Sequence, residues 1–208
     1  MTKSVALITM STRAPRAGPH VAALVKSILD PEAKANDITL VPVDLADFKL
    51  PVYDEAVIPG MVDTGKPDAP VFAHAHSIAW STTIKAHDAY VLVLNEYNYG
   101  LPGGAKNAID YLLNQWKGKP VAIVTYGIKG GAFASEQGAH VLGMMGLKVA
   151  ETRPQLQFKG GLGPEAFAAM LQGEVGEEQL GLWRSEKGAD VKKAFEEVAA
   201  LLKEEKSV

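Results

Sequence analysis

An α/β fold, with a parallel sheet between two layers of helices, is predicted from three observations in the 208-residue sequence. Apolar runs of strand length alternate with segments of helical period along most of the chain. One of these runs, AYVLVL from Ala89 to Leu94, is continuous, as in a strand covered on both faces, and stops abruptly at Asn95. Three of the strands lead into loops rich in glycine, proline or polar residues, each followed by a helix. In an open parallel sheet such loops gather at the carboxyl ends of the strands, where ligands bind.

The elements follow in order. Val5 to Met10 is the first strand, and Gly18 and Pro19 open a helix whose Val21, Leu24, Val25 and Ile28 share a face. Ile38 to Val43 is the second strand. Ala46 to Asp68 is a long connection broken by Pro51, Pro59, Gly60, Gly65 and Pro67, of the length that carries function or mobility. A helix is expected over Val71 to Lys85. After the central strand and the loop NEYNYGLPGG, Ala105, Ala108, Ile109, Leu112 and Trp116 recur at helical spacing. Pro120 to Thr125 is the fourth strand, followed by TYGIKGG and a helix to about Met145. Lys148 to Gln157 is expected as the fifth strand, with a short helix around Phe167. The segment GEVGEEQLGLWRSEKGAD reads as a solvated connection and Val191 to Leu202 as an amphipathic terminal helix. One domain over 1–208 is expected, with the charged connection and terminal helix at 173–208.

Composition narrows the function. Apolar residues make up 47% of the chain, enough for a sizeable core, and the net charge is −3 with no long charged block. Neither nucleic acid nor an anionic membrane surface is therefore an expected partner. There is no cysteine, which excludes disulfides, thiolate metal sites and cysteine nucleophiles. No apolar segment approaches the length of a membrane span, and a cytoplasmic location is the default expectation.

The three loops differ in chemistry. STRAPRAGPH, from Ser11 to His20, combines two arginines, two hydroxyls and a helix amino terminus, which fits a phosphate cradle and a capped basic turn equally well. The loops at Asn95 to Gly104 and Tyr126 to Phe133 are not basic. They offer backbone amides beside glycines, together with Tyr97, Tyr99, Tyr126 and Phe133, as a flat heteroaromatic ring requires. A phosphate at one end and a planar ring at the other describe a mononucleotide such as FMN.

On these segments the sequence resembles the NADPH-dependent FMN reductase family. MSTRAPRAGPHVA is similar to its Gly-Ser-x-Arg phosphate loop, and NEYNYGLPGGAKNAIDY to its Pro-Glu-Tyr-Asn loop and the helix after it. LPVYDE at Leu50 to Glu55 and TYGIKGG complete the likeness, which spans Ser4 to about Met145. The resemblance implies a flavodoxin-like three-layer sandwich with five parallel strands in the order 2-1-3-4-5. It implies that Ser11, Arg13, Arg16, Gly18, His20 and Val21 surround an FMN phosphate. Asn95, Glu96, Tyr97 and Asn98 would lie along the isoalloxazine edge, with Tyr126, Gly127, Gly130 and Gly131 closing the other side. Two departures stand out: Met10 replaces the usual glycine and Asn95 the usual proline.

The implied chemistry is a hydride passed from NADPH or NADH to the flavin N5 and on to a small acceptor such as a quinone or free flavin. No catalytic side chain is expected. Family members commonly form dimers or tetramers in which a neighbouring subunit covers the flavin, and Tyr99, Leu101 and Trp116 suit such a contact. Two alternatives stay open: an FMN-binding electron carrier or redox-responsive interaction protein with little nicotinamide turnover, and a protein that kept the fold without the cofactor.

Other features carry plainer readings. GMVDTGK at Gly60 to Lys66 has the spacing of a triphosphate loop, but Pro67 replaces the metal-binding hydroxyl and no apolar strand precedes it. His74 and His76 would diverge on a helix, so a shared metal is not expected, and no metal site is expected elsewhere. Trp80 and Trp116 read as core or subunit contact. Glu96 is expected to bind backbone amides rather than move protons.

Overall fold

Side chains alternate across a strand, and the sheet sorts its residues accordingly. Val5, Leu7, Val91, Val93, Ala122 and Val124 face one helical layer, while Ala6, Ile8, Tyr90, Leu92, Val121 and Ile123 face the other. The computed structural model describes residues 2–204. Within them the strands are β1 (Lys3–Thr9), β2 (Ile38–Asp44), β3 (Ala89–Asn95), β4 (Pro120–Gly127), β5 (Lys148–Val149) and β6 (Gln155–Gln157). The helices are α1 (Gly18–Ala35), α2 (Ala75–Lys85), α3 (Gly103–Asp110), α4 (Ala132–Met144), α5 (Pro164–Leu171) and α6 (Glu177–Glu204). The sheet is parallel in the order β2-β1-β3-β4-β5, as expected, and β6 also pairs with β4.

Register places the ends of the three central strands together. Thr9 is opposite Val93, and Asn95 is opposite Tyr126. Every residue of β3 is buried, which explains its unbroken apolar run. One core packs α1 and α6 on the sheet through Val25, Ile28, Phe195 and Val198; the other packs α2, α3 and α4 through Trp80, Ala108, Ile109 and Leu142. Trp80 and Trp116 lie in the second core, both fully buried, with ring centroids 5.9 Å apart. Trp116 is therefore not available for a subunit contact.

The structure departs from the expected elements in four places. The fifth strand is two short pieces, because Pro154 lies between them and has no amide to give the ladder; its carbonyl accepts from Thr125 N at 3.0 Å. Helix α2 begins at Ala75 rather than Val71, since the carboxylate of Glu55 takes the amides of Ala73 and His74, both at 2.9 Å, in an extended segment. Helix α3 ends at Asp110, and Leu112 and Trp116 are buried in the turns that follow. The expected solvated connection is instead the first half of α6. Trp183 is 1% exposed there and its indole donates to Gln157 O at 2.7 Å, so the buried stripe continues into Val191, Phe195 and Val198 beneath a charged outer face. No helix among the described residues is long and apolar enough to cross a membrane.

Candidate functional site

A cavity of about 340 Å³ opens where β1, β3 and β4 end. Its size is at the lower end for small-molecule sites. Ser11, Arg13, Arg16, Asn95, Glu96, Tyr97, Asn98, Tyr126 and Gly127 all line it, so the three loops do converge. Of the other expected residues, Gly18, His20, Val21, Gly130 and Gly131 do not line it. Gly18 and Val21 are buried in the first turn of α1 and His20 is exposed. The cavity also takes in Ala17, Tyr99, Ile128, Lys129, Phe158, Ala166, Ala169 and Met170. Phe158, Ala166, Ala169 and Met170 belong to a stretch in which the sequence shows no motif.

The first loop is short of partners at its base. Met10 keeps the ladder going by donating to Val93 O at 3.0 Å, and its side chain is buried in the α2/α3 core, so it does not narrow the turn. Ser11 Oγ is buried beside the Tyr126 hydroxyl, and no side chain caps α1. A Cβ at Gly18 would collide with Ser11 Oγ, so glycine there lets the helix start press against the hydroxyl. The two arginines differ. Arg16 is held by Asp44 Oδ2 at 2.6 Å and Ser11 O at 2.9 Å, which ties the loop to the end of β2. Arg13 reaches over the cavity to Tyr97 Oη at 3.2 Å and Met170 O at 2.6 Å.

The second loop is a tight turn. Tyr97 and Gly100 exchange backbone hydrogen bonds of 3.1 and 3.0 Å, and Asn98 and Tyr99 between them have φ of 46° and 61°. Two positive φ values make a turn of the primed hairpin type, which asparagine tolerates and an aromatic residue does not favour. Such strain is held only where the surroundings enforce it. Here the ring of Tyr99, 72% exposed, meets Phe133 edge-on at 5.5 Å. Asn95 Oδ1, at the base of the loop, is buried without a partner.

Glu96 ties the second loop to the third. Its Oε2 accepts from the amides of Phe133 and Ala134 at 2.8 and 3.1 Å, at the start of α4, where a carboxylate also complements the helix dipole. Those amides are exposed to it because Gly130 and Gly131 turn the chain with φ of 70° and 75°; a Cβ on Gly131 would come within 2.9 Å of Thr125 Cβ. Burial pushes the Tyr126 hydroxyl up to about 12, so it stays a neutral donor at physiological pH.

Elsewhere, His74 is extended and precedes α2, so the rings of His74 and His76 stack at 5.3 Å instead of diverging, and both face Asp54. No group of three or more His, Asp or Glu is placed to hold a metal among the described residues. A wider groove of about 880 Å³ between the 62–72 segment and α2 lies away from the strand ends.

The polar inventory fits FMN. Ser11 Oγ, Arg13 and the uncapped start of α1 form a donor set for a phosphate, and Asn95 Oδ1 and Tyr126 supply an unpaired acceptor and a neutral donor beside a largely apolar wall.

The comparisons agree with that inventory. The NADPH-dependent FMN reductase family matches residues 4–157. A Nectria protein named NAD(P)H-dependent FMN reductase is 43% identical over 204 residues, 97% of this chain and 98% of that one. A Schizosaccharomyces pombe protein of the same description is 35% identical over 75% of this chain and 74% of its own. Among solved structures, the flavoenzyme NAD(P)H:(acceptor) oxidoreductase FerB of Paracoccus denitrificans aligns with TM-score 0.61 at 23% identity, over 93% of this chain and 97% of that one, a likeness of fold. With the pattern running unbroken from β1 to β6, the chain belongs to the NADPH-dependent FMN reductase family.

Proposed function

We propose that FMN occupies the cavity at the ends of β1, β3 and β4, and that the protein passes reducing equivalents from a nicotinamide to a small acceptor such as a quinone or free flavin. Membership of the family makes it an NAD(P)H-dependent oxidoreductase using FMN. The observation that carries the site assignment is the convergence of the three loops on one cavity at the strand ends, with Arg13 from the first and Asn95, whose Oδ1 is buried without a partner, from the second.

FMN, when bound, supplies the hydride chemistry. The chain's own residues bind and orient. Ser11, Arg13 and the first amides of α1 would hold the phosphate, with Arg16 keeping the loop in place through Asp44. Asn95 and the backbone of Glu96, Tyr97 and Asn98 would hold the polar edge of the ring on one side, and Tyr126 and Gly127 on the other. Fixed donors of this kind stabilise charge that builds up on a ring without costly reorganisation. Glu96 joins the loops through Oε2, which is bonded to two amides, and is not assigned a proton-transfer role. The exposed Tyr99 and Phe133 beside the mouth support entry of a flat acceptor and, by the same exposure, assembly as a homodimer or homotetramer. A cytoplasmic location is part of the same reading.

The test is a visible spectrum of the protein incubated with FMN and desalted, followed by anaerobic addition of NADPH or NADH. Retention of a flavin band that bleaches with either nicotinamide is expected. No band after reconstitution would overturn the cofactor assignment.

A further inference from the structure

The family match ends at residue 157, yet the cavity does not. Helix α5, beyond that limit, forms a whole side of it through Ala166, Ala169 and Met170, with Phe158 just before. Contacts on either side of the helix meet two of the three loops. Before it, the chain passes the third loop, where a Cβ on Gly161 would touch Ile128 at 3.9 Å. Just beyond its far end Gly173 rests on the phosphate loop, where a Cβ would be 2.6 Å from Arg16 N and 3.1 Å from Arg16 O. Met170 O takes the Arg13 guanidinium at 2.6 Å.

Two details show that this side is fixed in place. Ala166 and Ala169 are 1% and 4% exposed and belong to the core shared with α1 and α6, while Phe167 and Leu171 on the same helix point outward at 46% and 70%. Gly173 has φ of 77°, and the contact with Arg16 leaves no room for any side chain, so the helix can sit this close only with glycine there.

Building on the FMN reading, we propose that α5 is a cofactor-positioning wall of the flavin site: its seat on the core through Ala166 and Ala169 and on the phosphate loop at Gly173 holds the Met170 carbonyl where it orients Arg13 toward the phosphate position. The wall thus lies on a segment outside the family pattern, and it fixes how tightly this chain holds its flavin. Acceptor chemistry is not assigned to it.

FMN titration by flavin fluorescence tests this on three variants and the wild type. Ala169→Phe overpacks the seat of α5 beside the cavity, displacing the helix, and is expected to weaken FMN by about tenfold or more. Gly173→Ala forces α5 and the Arg16 backbone apart at the edge of the cavity and is expected to weaken FMN by about threefold or more. Gly65→Ala, equally left-handed at φ 79° but with nothing within 4 Å, is the control and should bind as the wild type does. Far-UV circular dichroism of the FMN-free proteins shows which variants fold, and if Ala169→Phe does not, Gly173→Ala decides. Folded variants that bind FMN like a flavin-binding wild type overturn the wall and leave the FMN reading standing. A wild type that binds no FMN removes both.

Discussion

Arg13 and Arg16 are three positions apart in one loop, and their surroundings divide the work. Arg16 is neutralised by Asp44 and bonded to Ser11 O, which makes it a brace; Arg13 meets only a phenol and a main-chain carbonyl, which leaves its charge available to an anion. Removing a charged hydrogen bond to a phosphate costs about 1.5–3 kcal/mol, so Arg13→Ala is expected to raise the FMN dissociation constant by about tenfold to a hundredfold. Turnover at saturating FMN should change little, because the side chain binds the cofactor and does not take part in hydride transfer. Full FMN occupancy in that variant, measured by flavin absorbance after desalting, would remove Arg13 from the phosphate site.

At the scale of elements, the sheet is anchored at the edge opposite the cavity. Asp88, just before β3, accepts from Lys3 Nζ and from Ser4 N, both at 2.8 Å, while its own amide donates to Ser4 O at 2.8 Å. Burial opposes ionisation of this carboxyl, but the bonds from Lys3 and Ser4 outweigh it and hold it below its ordinary value. A carboxyl more acidic when folded adds stability above its unfolded pKa of about 3.9 and loses it as pH falls through the folded value. Asp88→Asn is therefore expected to cost about 1 kcal/mol in urea unfolding at pH 7, shrinking toward zero below about pH 4. A pH-independent difference would show that the charge is not what anchors β1 to β3. At the other edge, Glu96 plays the equivalent part in joining the β3 loop to α4, so the loops that line the site are linked by side chains as well as by the sheet.

Over the whole molecule, the two cores lie on opposite faces of a sheet whose central strand β3 is fully buried, and α6 closes one of them. Phe195 is completely buried against that face. Truncating a buried phenylalanine costs about 3–5 kcal/mol, so Phe195→Ala should lower the denaturant midpoint sharply in FMN-free protein while leaving the ligand-lining residues unchanged. A loss under about 1 kcal/mol would mean that α6 is peripheral to stability. The same helix shows why its first half resembles a linker in sequence: Glu177, Glu178, Arg184, Glu186 and Lys187 fill the outer face, and Gly181 and Gly188 interrupt the helical signal, while Trp183 is sealed by packing that no local pattern announces.

The layers and the three loops gathered at the strand ends follow from periodicity, glycine placement and the abrupt end of β3 at Asn95, which are local signals, whereas the strand order and the nine expected residues that line the cavity were implied by the family resemblance. The break of the fifth strand at Pro154 was legible in principle, since proline cannot donate to a ladder. Other features depended on distant partners. The late start of α2 rests on Glu55, 18 residues before Ala73, and the opposite roles of Arg13 and Arg16 rest on Met170 and Asp44. The fourth side of the cavity rests on Ala166 and Ala169, which in sequence are two alanines in a short apolar helix. Sequence by itself determined the layers and the edge at which ligand chemistry gathers, since these come from interactions a few residues long. Only the tertiary structure decided which distant segment closes the site, because that is set by how α5 and Gly173 pack onto the phosphate loop, more than 150 residues away along the chain.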